Sequence, residues 1–186
     1  MGEPDQGVVQ IRFGGYGGQG IVLAGTLLGR AATLYDGKEA VFTQAYGPEA
    51  RGGASRADVI ISDNPIDYPY VTEPDVLVVL FQEAYASFAA QLKPGGQLIV
   101  EEDLVRLEDG SRRAALLPAT RIAEELGNRI VMNVVVLGFL VGQTGVVSRA
   151  AAEQAIRTTV KPRAVDLNLR AFEAGFDRAA RGAAPS

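Results

Sequence analysis

Neither cysteine nor histidine nor tryptophan occurs in the 186-residue sequence, and three lysines stand against fifteen arginines. Without thiolates the chain cannot ligate an iron–sulfur cluster, exchange disulfides or use a sulfur nucleophile. Without imidazole it cannot build a Ser/His/Asp triad, a zinc finger or a haem ligand. Carboxylates, tyrosines, hydroxyls, guanidinium groups and backbone N–H groups remain. Lys38, Lys93 and Lys161 each adjoin a Gly, Pro or acidic residue, so they read as surface charges in turns. No catalytic residue and no metal ligand set emerges from this inventory.

Long hydrophobic runs are missing too. The longest apolar stretch, Ile130 to Val141, contains Asn133 and falls short of the roughly 20 residues a membrane crossing needs. It reads as a buried helix. Met1–Gln10 is polar and acidic, unlike a secretory segment with its positive start and apolar run, so the expectation is a soluble, cytoplasmic protein without membrane contact. A net charge of -4 and a pI near 5.0 lack the clustered positive charge of a nucleic-acid footprint.

What is present is glycine, 22 residues of it, arranged among alternating strand and helix signals. Val8–Phe13 is rich in β-branched residues and stops at a glycine cluster, as a strand ending in a loop does. From Ile21 to Ala32 the apolar positions follow helical spacing, and Gly25 and Gly29 leave a flat face for close packing on a sheet. Further strands are expected at Ala40–Gln44, Ala54–Ser62, Asp75–Phe81 and Gln97–Val100, with a helix over Glu83–Leu92. Later helices follow at about 121–126, 133–141 and, capped by Ser148, 149–160. A last helix from Pro162 carries Val165, Leu169, Phe172 and Phe176 on one stripe, before a small-residue tail from about 182. This alternation predicts a single α/β domain over 1–186, Rossmann-like and three-layered, with a mostly parallel sheet and a helical C-terminal third.

Two loops carry the chemical signal. The first, Gly14-Gly15-Tyr16-Gly17-Gly18-Gln19-Gly20, places G-x-G-x-x-G at Gly15, Gly17 and Gly20 between a strand and a helix. Such glycines let backbone approach a phosphate, and the helix that follows offers unpaired N–H groups. The same glycines also suit a plain tight turn, so turn, anion site and dinucleotide site all stay open. A dinucleotide needs an acidic ribose ligand at the end of the second strand, whereas Asp36 and Glu39 precede that strand. A Walker motif is excluded because Gly37-Lys38 is followed by Glu39.

The second loop, Gln44 to Gly53, holds Tyr46, Pro48, Glu49, Arg51, Gly52 and Gly53 within ten residues. In an open parallel sheet both loops leave the carboxyl ends of strands and face one crevice. There Arg51 beside Gly52 and Gly53 can hold a carboxylate or phosphate with its planar fork and nearby backbone N–H groups. Glu49 and Arg51 can equally pair with each other or meet another subunit.

Taken together, Gly-Gly-Gln-Gly before a small-residue helix, Tyr-Gly-Pro-Glu-Ala-Arg-Gly-Gly, Val-Ile-Ile-Ser-Asp and Pro-Asp-Val-Leu resemble the gamma subunit of 2-oxoacid:ferredoxin oxidoreductases. The specific motifs span Ile11 to Glu101, and Tyr46–Gly53 looks most like the 2-oxoglutarate branch, with the branched-chain branch next. The pyruvate branch has a different loop there. The resemblance implies a complex that decarboxylates a 2-oxoacid on thiamine diphosphate with Mg²⁺. It passes the acyl group to coenzyme A and sends electrons through an iron–sulfur cluster to ferredoxin. It also implies that alpha and beta subunits, with a ferredoxin-like delta subunit, carry those groups. This chain, inactive alone, then serves as a structural subunit or on the coenzyme A side through Gly15, Gly17, Gly18, Gln19, Gly20, Tyr46, Glu49, Arg51, Gly52 and Gly53. Two other readings remain: a stand-alone NAD(P)-binding oxidoreductase and an interaction module without ligand.

Overall fold

The computed structural model describes residues 7–46, 54–107 and 114–182. In chain order the elements are β1 (Val8–Gly15), α1 (Ile21–Arg30), β2 (Glu39–Ala45), β3 (Ser55–Ser62), β4 (Val76–Val79), α2 (Gln82–Phe88) and β5 (Gln97–Glu101). Then come β6 (Ala114–Leu117), α3 (Ala119–Glu125), α4 (Met132–Thr144), α5 (Arg149–Thr159) and α6 (Val165–Gly182). The six strands form one sheet in the order β2-β3-β1-β4-β5-β6. The pairs β1/β4, β4/β5 and β5/β6 are parallel, while β3 runs against both β1 and β2. Five strands therefore point one way and β3 alone is reversed, which agrees with the expected mostly parallel sheet.

Side-chain alternation along the strands separates the two faces. Ile11, Phe13, Val59, Ile61, Val76, Val78 and Ile99 join α1, α4 and their neighbours in the larger core. On the other face Leu77, Val79, Leu98 and Val100 meet Ala84, Tyr85 and Phe88 of α2. The β1/β3 part of that second face carries a buried ion pair. Arg12, fully buried, donates from Nε and Nη2 to the two Asp58 carboxylate oxygens at 2.8 Å each, from Nη2 to the Val71 carbonyl at 2.7 Å, and from Nη1 to Gln91.

The central helix α4 is buried from Met132 to Val141 because α6 covers the side that the sheet does not. Gly138 on α4 and Gly175 on α6 let the two backbones touch: a Cβ on Gly138 would overlap the Phe172 carbonyl, and one on Gly175 the Val135 carbonyl. Leu169, Phe172 and Phe176 of the expected stripe pack on the core, and Ser148 caps α5 through its Oγ, which accepts the Ala151 N–H at 3.1 Å.

Three sequence expectations need correction. Ile130 is not part of the buried helix; it lies in a short turn at Arg129–Val131 and is 76% exposed. Gly25 does pack on the sheet, its Cβ position lying 2.6 Å from the Phe42 ring, but Gly29 faces open space. Strand β6 was not expected at all, since Ala-Ala-Leu-Leu favours strands weakly; pairing with β5 decides its conformation.

Candidate functional site

Strand β1 runs out at Gly15, and residues 16–20 turn the chain into α1. Gln19, buried at 6% exposure, holds this turn because a side-chain amide offers both an acceptor and a donor. Its Oε1 accepts the Tyr16 N–H at 2.9 Å, and its Nε2 donates to the Leu80 carbonyl at 2.8 Å. Gly18 and Gly20 adopt φ of 100° and 74°, a region that residues with a Cβ enter at a cost. At Gly20 a Cβ would also lie 2.6 Å from Asn133 Nδ2. That amide donates to the Gly20 carbonyl at 3.1 Å, tying the first turn of α4 to the loop. No side chain caps α1, so backbone N–H groups of its first turn have no intrahelical acceptor.

Strand order reverses between β1 and β4, the kind of switch point at which open sheets bind ligands beyond their carboxyl ends. Here that crevice is filled from within. The Gln19 bridge to Leu80 spans it, and the Tyr16 ring meets Phe81 edge-on with centroids 5.0 Å apart. Nor does β2 lie next to β1, as a dinucleotide fold requires, because β3 separates them. Asp36 is already engaged, accepting from the N–H and Oγ of Ser148 at 2.6 and 2.7 Å, and Glu39 opens β2 at the opposite end of the sheet. Neither Asp36 nor Glu39 is therefore placed as a ribose ligand for a dinucleotide.

The expectation that both loops leave one edge is met by an unexpected route. Because β2 and β3 are an antiparallel pair, the segment between them is bounded by Ala45 and Ser55, and Ala45, Arg56 and Gly14 stand in one row across the sheet. The two loop origins are thus two strand spacings apart, roughly 10 Å. Tyr46 follows directly and is 66% exposed. Glu49, Arg51, Gly52 and Gly53 lie outside the described residues.

Of the glycine-loop positions, Gly15 packs against the Gln19 side chain, whereas Gly17 and Gly18 face open space. Beside them lies a cleft of about 250 Å³, lined by Tyr16, Gly18, Gln19, Arg129, Ile130 and Met132. Arg129 and Ile130 are absent from the sequence-derived site. The apolar run starting at Ile130 assigns that residue to the helix that follows, and no motif includes Arg129. The signal that separates them is Gly127, with φ 93°, which ends α3 two residues earlier, and Asn128, whose Oδ1 accepts the Ile130 N–H at 3.1 Å.

The sequence profile of the pyruvate ferredoxin/flavodoxin oxidoreductase family matches residues 10–178. The chain is 52% identical over 174 residues to the 2-oxoglutarate synthase subunit KorC of Methanothermobacter thermautotrophicus, covering 89% of this chain and 92% of that protein. It is 36% identical to the ketoisovalerate oxidoreductase subunit VorA of the same organism, over 94% of this chain but 37% of the relative. Among solved structures, the keto/oxoacid ferredoxin oxidoreductase gamma subunit from Geobacter sulfurreducens superposes with a TM-score of 0.87 at 46% identity, covering 95% of this chain and 98% of that one. A profile that spans residues 10–178, and a KorC relative and a gamma-subunit structure each covered over more than nine tenths of their length, agree with the motifs in its two loops: the chain belongs to the pyruvate ferredoxin/flavodoxin oxidoreductase family, as a gamma-type subunit.

Proposed function

We propose that this chain is the gamma subunit of a multi-subunit 2-oxoglutarate:ferredoxin oxidoreductase. The assembled enzyme takes 2-oxoglutarate and coenzyme A to succinyl-coenzyme A and CO2, and the two electrons released reduce ferredoxin. The observation that carries this reading is the 52% identity to a 2-oxoglutarate synthase subunit along nearly its whole length, against 36% to a ketoisovalerate oxidoreductase subunit.

Iron–sulfur ligation does not fit this chain, which has no cysteine. Nor does the sequence have a Gly-Asp-Gly start to a thiamine diphosphate and Mg²⁺ motif. Alpha and beta subunits supply both groups, with a ferredoxin-like delta subunit handling electron exit. Coenzyme A is the group this chain can help to hold. Gly17 and Gly18 leave backbone open to an anion, α1 presents uncapped N–H groups, and Arg51, Gly52 and Gly53 follow the strand that ends on the same edge. Tyr46 and Glu49 belong to the same proposed surface, facing the alpha and beta subunits.

Co-expression with alpha and beta subunits tests the reading. The complex should reduce ferredoxin in a coenzyme A-dependent reaction, fastest with 2-oxoglutarate, while this chain alone stays colourless and inactive. Co-purification without any such reaction refutes the assignment. Titration calorimetry on the complex carrying Arg51→Ala checks the loop: unchanged coenzyme A affinity removes Arg51 from the site.

A further inference from the structure

The segment between β3 and β4 belongs to neither loop motif. It leaves β3 at Ser62, paired with Val8, and enters β4 at Val76, paired with Ile11, so both its ends lie where β1 begins, away from the glycine loop. Residues 63–75 contain Asp63, Asp67, Glu73 and Asp75 and no lysine or arginine. Asp75 pairs with Lys93 at 2.7 Å and Asp63 stands 3.8 Å from Lys38, whereas Asp67 and Glu73, both exposed, have no ion pair among the described residues. Between them Tyr68 and Tyr70 flank Pro69. They are 61% and 57% exposed, and their rings meet edge to face with centroids 5.5 Å apart.

The buried ion pair of the second face holds this corner in place. Val71, the next residue, is 5% exposed, and its carbonyl accepts from the fully buried Arg12 at 2.7 Å. Further along, the Lys93 N–H donates to the Pro74 carbonyl at 3.1 Å and the Gln10 N–H to the Asp75 carboxylate at 2.7 Å. Rings and carboxylates therefore stand on anchored backbone before any partner arrives, which lowers the ordering cost of binding. The ring faces carry negative potential, as do the carboxylates beside them. A guanidinium suits both, because it lies flat on an aromatic ring and donates paired hydrogen bonds to a carboxylate.

We infer that Asp67, Tyr68, Tyr70 and Glu73 form a docking surface for an arginine-bearing segment of the alpha/beta assembly. The inference rests on the reading above that this chain assembles with those subunits. Exposed tyrosines on a fixed backbone supply contact area at low entropic cost, and the two carboxylates select a basic partner.

The test measures binding of this subunit to the alpha/beta assembly for Tyr68→Ala/Tyr70→Ala and, separately, Asp67→Arg/Glu73→Arg. All four side chains are exposed, so urea midpoints of the full chain should match wild type and serve as the check on folding. The tyrosine variant should bind about tenfold or more weakly. The charge variant should lose about tenfold or more at about 0.05 M salt and clearly less at about 0.5 M, while Tyr68→Phe/Tyr70→Phe should stay within about twofold because the ring faces make the contact. With photoreactive benzoylphenylalanine in place of Tyr70, cross-linking to an alpha or beta subunit supports the inference. Cross-linking only to a second copy of this chain, or to neither, overturns it. Unchanged affinity in the tyrosine variant, or unchanged or tighter binding in the charge variant at low salt, also overturns it and leaves the proposed function standing. A wild-type complex that assembles without reducing ferredoxin overturns the proposed function alone, and a chain that binds neither alpha nor beta subunit overturns both.

Discussion

Gln19 is where the sequence motif and its physical role part company. As the third x of G-x-G-x-x-G it is expected on the coenzyme A side of the site, yet its amide closes the space in which a dinucleotide would sit. Gln19→Glu keeps the shape, loses the donor to Leu80 and sets a carboxylate against a carbonyl oxygen. At neutral pH the variant should lose about 2–3 kcal/mol, read from urea unfolding midpoints. Burial raises the folded-state pKa of such a carboxyl above its unfolded value. The variant should therefore recover stability below about pH 4, where the acid is protonated in both states, and lose it as pH rises through the folded-state value. A penalty independent of pH would show that the amide is not buried as described. Arg12 teaches the same lesson. It sits within an apolar strand signal, and neither composition nor spacing reveals that Asp58, 46 residues away, is its partner. Such pairings depend on sheet register, which local sequence does not encode.

At the scale of elements, apolar runs, stripes and turn residues found the six α-helices and five of the six strands among the described residues. The reversal of β3 escaped them: Ala54–Ser62 looks alike in either direction, and only pairing with β1 and β2 settles the orientation. The α4/α6 contact escaped for a related reason, since Gly138 and Gly175 are 37 positions apart and meaningful only as a pair. Two glycine substitutions should separate these cases. Gly175→Ala forces a Cβ into the Val135 carbonyl and should cost about 3 kcal/mol or more. Gly29→Ala, in the helix α1 with open space around it, should instead stabilise by about 0.5–1 kcal/mol. Equilibrium urea denaturation of the two variants should give opposite signs. Equal effects would mean that the helices do not meet at Gly175.

For the whole molecule, the layered α/β architecture and the family were legible, and the motifs in the two loops were sufficient for both. Which residues line an open space was not legible, because a cleft is made of segments distant in sequence: residues 16–19 and 129–132 here. The filled switch point also makes a global prediction. NAD and NADP should leave the melting temperature of the isolated chain unchanged to within about 1 °C in thermal-shift measurements, since β3 displaces the strand that would carry a ribose ligand. A clear stabilisation by either nucleotide would mean that the Gln19 bridge opens. Among the described residues no helix is long and apolar enough to cross a membrane, and exposed Tyr46, Tyr68, Tyr70 and Ile130 provide apolar surface of the sort that subunit contacts use.

The reversed strand has one more consequence, for how such enzymes can diverge. A crossover between parallel strands is constrained by the helix it contains, whereas the connection between antiparallel neighbours can lengthen or change composition with a small entropic cost and no change of register. Because β2 and β3 pair antiparallel, the connection between Ala45 and Ser55 can change in length or composition without a change of sheet register. Exchanging that connection between branches of the family then becomes a way to ask what it recognises without refolding the subunit.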